Sequence, residues 1–133
     1  MGIRTLFGFF GLGLLGLGCG KDTVESDSGA TSEYDAMTAV FDASCGAGCH
    51  TAGSSSGGLN LDASEAADNL VDMPSQGDSE WTRVVCGDAE SSSLYMKLFD
   101  PAPYDDPMPL GQGASDDDIA TIKAWIEGPE CDG

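Results

Sequence analysis

One histidine stands in the whole chain, and it follows directly on a cysteine: Cys45-Gly46-Ala47-Gly48-Cys49-His50. Two thiols and an imidazole so close together can do three kinds of chemistry. They can carry a covalently attached haem, whose thioether links come from two cysteines and whose proximal iron ligand is the histidine after the second; the usual spacing is C-x-x-C-H. They can close a small disulfide. They can bind zinc, for which Cys and His are ordinary ligands. The haem spacing is one residue longer than usual here, and Gly46 and Gly48 give the backbone the freedom that a local bulge needs to absorb it. A Cys45–Cys49 disulfide is strained in a regular helix, where β-carbons four residues apart lie roughly 5–6 Å from each other against the roughly 3.5–4.5 Å that the bond wants. It also leaves His50 without a role. Zinc is the weakest of the three, because neighbouring Cys49 and His50 point different ways and an oxidising compartment opposes free thiolates.

A haem held by His50 has no second histidine to call on, so methionine is the remaining strong axial ligand. Met37 and Met96 sit at helical packing positions, where a flexible apolar side chain fills gaps in a core. Met73 and Met108 each precede a proline in a loop. Met108 lies in "DPMPLGQG", between prolines that stiffen the segment, directly before the best helical pattern in the chain. Met108 is therefore the expected distal ligand, with Met73 behind it.

The elements that must position these residues read as helices joined by long loops. The first helix starts near Ser32, with Asp35 as a capping partner, and places Tyr34, Met37, Val40 and Phe41 at helical spacing. A second is expected over "DASEAADNLV" and a third over "SSSLYMKLFD", where Leu94 meets Leu98 and Tyr95 meets Phe99 one turn apart. The fourth is "DDDIATIKAWIEG": Ser115 caps it, three aspartates occupy its positive first turn, and Gly128-Pro129 ends it. Ile119, Ile122, Trp125 and Ile126 form its apolar stripe. Between them lie loops rich in Gly, Pro, Ser and Asp, and only "WTRVVCG" has strand character. The expected fold class is all-α, a small helical domain with long Gly/Pro-rich loops that something else must order, either disulfides or a bound cofactor.

The chain opens "MGIRTLFGFFGLGLLGLGCGKD", a basic residue followed by an apolar, glycine-rich run too short to span a membrane comfortably. This predicts a secretory signal peptide over residues 1–18. Its end, "LLGLGC", resembles a bacterial lipobox with Cys19 as the lipidated residue. Residues 19–32 are polar and acidic and read as a flexible tether, leaving residues 33–133 as one domain. The chain carries 23 acidic side chains against 5 basic ones, a formal charge of −18. That excludes a nucleic-acid partner, whose phosphates require Lys and Arg, and limits membrane contact to the lipid anchor. A redox partner with a basic docking surface suits such a chain. A hydrolase is disfavoured, since no serine has a histidine to share.

In order along the chain, "SCGAGCHT", "GGLNL", "VVCGDAESSSLYMKL", "DPMPLG" and "DDDIATIKAWIEG" resemble the small cytochrome c-like domains of planctomycete and myxobacterial exported lipoproteins. The resemblance spans about residues 36–128. It departs from the family in the extra residue between the cysteines and in Cys86, which stands where the family commonly has a proline. It implies a haem c fold, with Cys45 and Cys49 as attachment points, His50 as proximal and Met108 as distal iron ligand. With Cys45 and Cys49 so assigned, Cys86 and Cys131 remain, and an exported domain joins them in a disulfide. The expected ring shield is Leu59, Leu61, Leu94, Tyr95, Ile122 and Trp125. The expected function is that of a lipid-anchored monohaem c-type cytochrome, binding haem iron and transferring single electrons at the periplasm or cell envelope, and not an enzyme. The alternative is a haem-free, disulfide-stapled lipoprotein of the same fold serving as a binding or structural module.

Overall fold

The computed structural model describes residues 31–46, 48–111 and 113–133. The signal segment, Cys19 and the tether up to residue 30 lie outside the described residues.

Helix α1 (Glu33–Val40) begins where the Ser32 hydroxyl accepts the Asp35 N–H at 3.0 Å, with Glu33 and Asp35 in the first turn where the helix dipole favours negative charge. Met37 and Phe41 bury their whole side chains, while Tyr34 and Val40 pack half-buried at the edge of the core. The helix then widens into a π turn, Phe41–Gly46. A tight turn follows in which the Cys49 N–H donates to the Gly46 carbonyl at 3.1 Å and Gly48 takes φ 84°, a left-handed conformation that favours glycine. A π turn is the usual form of one extra residue in a helix.

The next segment corrects the all-α expectation. Strand β1 (His50–Thr51) pairs antiparallel with β2 (Ser54–Ser55), His50 opposite Ser55 and Thr51 opposite Ser54. The protein is a small mixed fold of four α-helices and a two-stranded antiparallel sheet among the described residues. Two-residue strands with no apolar alternation leave no period-2 signal, which is why the segment reads as a loop. "WTRVVCG", the expected strand, makes isolated bridges instead, Val71 with Val84, Pro74 with Thr82 and Thr82 with Ser92.

Helices α2 (Ala66–Leu70) and α3 (Ser93–Met96) are shorter than their sequence patterns suggest. The would-be caps are diverted. Asp62 accepts the Ala52 N–H at 3.0 Å, tying α2 to the hairpin rather than capping it. Buried Ser92 donates to the Asp88 carbonyl and accepts the Val85 N–H, both at 2.8 Å, so it fixes the preceding loop.

Helix α4 (Asp116–Glu127) matches its pattern: the Ser115 hydroxyl accepts the Asp118 N–H at 3.2 Å, and Ile122, Trp125 and Ile126 are completely buried. It packs on α1, where Tyr34 stands edge-on to Trp125 with ring centroids 6.2 Å apart. The expected Cys86–Cys131 disulfide is present, with Cα atoms 5.6 Å apart, and ties the segment before α3 to the tail after α4. Closing a 45-residue loop constrains the unfolded chain by about 4 kcal/mol in the entropy treatment. Among the described residues no helix is long and apolar enough to cross a membrane.

A leucine-walled cavity carrying Cys45, Cys49, His50 and Met108

The π turn, the hairpin, the segment before α2, α3 and the loop before α4 surround one cavity of about 530 Å3, within the roughly 300–1,000 Å3 common for cofactor and ligand sites. Its wall is built from Leu59, Leu61, Leu70, Leu94 and Leu98, and Leu110, which is 65% exposed, also lines it. Cys45, Cys49, His50 and Met108 all line it. Residues separated by some sixty positions in sequence thus share one apolar chamber.

Each is held by backbone that the sequence explains. His50 is locked in β1: its carbonyl accepts the Leu61 N–H at 2.8 Å, and ring Nδ1 lies 3.3 Å from the Leu59 carbonyl. A carbonyl can only accept, so in the neutral tautomer that makes this hydrogen bond Nδ1 donates and Nε2 keeps the free lone pair. A metal-binding histidine is normally fixed in this way, its second nitrogen donating to a carbonyl or carboxylate. Met108 is anchored by its own N–H, which donates to the Lys97 carbonyl at 2.7 Å and so joins the loop before α4 to the end of α3.

The two cysteines are both free thiols. Cys49 is exposed; Cys45 is half-buried beside α4, where Ser44 donates to Asp118 at 3.3 Å. Burial, with the Asp118 carboxylate and Cys49 adding to it, pushes the Cys45 thiol up to about 11. A thiol that stays protonated is a poor zinc ligand or nucleophile. Among the described residues no three His, Cys, Asp or Glu side chains come close enough to hold a bare metal ion. A haem asks less of the chain: two sulfurs on the ring edge and one or two axial ligands, with apolar walls for the faces. The residues present fit that demand.

The other methionines separate cleanly from this site. Met37 is in the core, Met73 is 41% exposed, and neither they nor Met96 reach the cavity. Of the expected ring shield, Leu59, Leu61 and Leu94 line the chamber. Tyr95 packs edge-on against Phe99 outside it, and Ile122 and Trp125 belong to the α1–α4 core. Leu70, Leu98 and Arg83 are lining residues that the sequence patterns did not assign to the site. Arg83 had a signal, a lone cation inside the apolar run "WTRVVCG" of a strongly acidic chain.

No protein-family model matches the chain, and neither a curated protein nor a solved structure matches it significantly.

Proposed function

We propose that this protein is a lipid-anchored monohaem c-type cytochrome-like protein that transfers single electrons at the cell envelope. The observation that carries the reading is the convergence of Cys45, Cys49, His50 and Met108 on one leucine-walled cavity. Bound there, haem c supplies a one-electron carrier whose potential follows its axial ligands and surroundings. The chain's own contributions are positional. Cys45, in the π turn, and Cys49, after left-handed Gly48, offer two thiols to one cavity. Leu59 fixes the His50 ring so that Nε2 is the ligating atom. Met108 supplies a thioether, a ligand that favours ferrous iron and raises the potential. Leu61, Leu70, Leu94 and Leu98 keep water from the chamber. The chemistry is electron transfer and not bond-making catalysis, so no nucleophile or general base is assigned. Export, lipidation at Cys19 and a basic redox partner complete the reading and rest on the sequence pattern and the acidic charge.

The unbonded state of Cys45 and Cys49 supports this reading over a stapled, haem-free module. The test is maturation of the full chain with a haem-attachment system, followed by acid-acetone extraction. Colour that stays with the protein is the expected result; a colourless protein with Cys45 and Cys49 joined to each other overturns it.

A further inference from the structure

Arg83 is the one charged side chain of the cavity that has no charged partner. It is 7% exposed. Its Nη1 donates to the Asn69 carbonyl at 2.7 Å and its Nη2 reaches the Gly58 carbonyl at 3.5 Å, and among the described residues no carboxylate lies within ion-pair distance. A guanidinium has five N–H donors and does not lose its charge in a protein. Two carbonyls leave it electrostatically uncompensated, although the chain carries 23 acidic residues that could have supplied a partner. Buried charges are ordinarily paired, because leaving water alone is costly. The backbone of Arg83 is fixed on both sides: its N–H donates to the Met73 carbonyl at 2.7 Å and its carbonyl accepts the Leu94 N–H at 2.9 Å. The other cation of the cavity, Lys97, is already paired with Asp105 at 3.3 Å.

We propose that Arg83 is the anion-binding residue of the cavity and that its partner is a carboxylate of the occupant, which on the haem reading is a propionate. The planar fork of a guanidinium suits a carboxylate, which it can bind with two parallel hydrogen bonds. Arg83 thereby makes two separate contributions. It fixes which edge of the ring faces the segment around Gly58 and α2, and it keeps that propionate ionised. An ionised propionate neutralised by Arg83 no longer takes up or loses a proton when the iron changes charge.

The inference rests on the haem reading, and the experiment separates the two. The full chain is matured with haem, covalent attachment in the wild type is scored first, and reduction potentials are then measured from pH 5 to 8 for wild type, Arg83→Gln and Arg83→Lys. The cavity's other titratable groups are the two cysteines and His50, consumed by attachment and ligation, and the Lys97–Asp105 pair, which is common to all three proteins. The expected wild-type potential is flat. In Arg83→Gln it is lower at pH 7 and falls with rising pH, because an unpaired propionate now titrates within the window; a tenfold change in the redox equilibrium reads as about 59 mV for one electron. Arg83→Lys, which keeps the charge, restores the flat profile. A haem-loaded Arg83→Gln with the wild-type potential and a flat profile overturns the proposal and leaves the haem reading standing. So does a lowered but flat potential, which makes Arg83 only a nearby charge. Should Arg83→Gln fail to fold, a wild-type potential that itself falls across the window, or a sloping Arg83→Lys, overturns it. A colourless wild type ends the haem reading before any variant is titrated.

Discussion

On the haem reading Cys45, Cys49, His50 and Met108 decide what the cavity can hold, and Met108 and the two thiols have distinct expected phenotypes. Met108→Ala is expected to abolish the weak far-red band of thioether ligation and to lower the potential by at least a tenfold change in equilibrium, about 59 mV. Haem stays attached, because Cys45, Cys49 and His50 are untouched. Met73→Ala leaves band and potential alone, since Met73 is largely solvent-facing and outside the cavity; Met37→Leu costs less than about 1.5 kcal/mol of packing and nothing else. Absorption spectra of the oxidised variants check the band, redox titration checks the potentials, and urea unfolding checks the packing cost. In the unmatured, reduced chain the thiols separate by pH. Cys45 is neutral below about 11, and only the thiolate alkylates. Its labelling rate therefore rises about tenfold per pH unit from pH 7 to 10 and levels above about 11, while exposed Cys49 labels first at pH 8; mass spectrometry of timed iodoacetamide reactions reads both. That Cys45, Cys49, His50 and Met108 belong together was legible in the sequence, because two cysteines and the lone histidine are local and a proline-flanked methionine is unusual. Arg83 was not, because its meaning lies in having no charged partner among the described residues, which only packing reveals.

At the scale of elements, hydrogen-bonded caps were the dependable signal. Ser32 and Ser115 stand where their patterns put them, and α1 and α4 follow. α2 and α3 fell short because neither has a side-chain cap; Asp62 and Ser92 spend their oxygens on the hairpin and the preceding loop. The β1–β2 hairpin escaped because its order comes from Leu61 and Asp62 bonding across to His50 and Ala52, contacts outside the strands themselves. The element that matters most for the site is the turn joining α1 to His50. Gly48 has open space where a β-carbon would go, so Gly48→Ala introduces no clash, only a left-handed backbone that an L-residue resists by about 1–2 kcal/mol. The expected outcome is a loss of that size in urea unfolding together with a lower yield of attached haem, since the turn sets the two thiols. An unchanged yield with the full stability loss means the turn does not position them.

Across the whole molecule the charge is distributed with a clear bias. Among the described residues the cations are Arg83, buried at the cavity, Lys97, paired with Asp105, and Lys123, paired with Glu127 at 3.5 Å. Every other charged side chain described is acidic, so the outer surface presents carboxylates with almost nothing to offset them. A field of that sign raises the local concentration of cations and repels anions, and salt screens both effects over about 8 Å at physiological ionic strength. Small redox reagents of opposite charge turn this into a test that needs no natural partner. Oxidation of the ferrous protein by a cationic cobalt or ruthenium complex should slow as salt rises from 10 to 500 mM, whereas oxidation by ferricyanide should quicken over the same range. The opposite signs matter, because a salt effect on the fold or on the haem pocket would move both rates together. Exposed and uncharged Leu110 lines the same cavity as the Lys97–Asp105 pair. A reagent that enters there feels the summed field and not a local ion pair, so neutralising Asp105 as Asp105→Asn should change either rate far less than salt does. If Asp105→Asn alone removes the salt dependence, steering is a local contact at that pair, and the acidic surface serves solubility instead of docking.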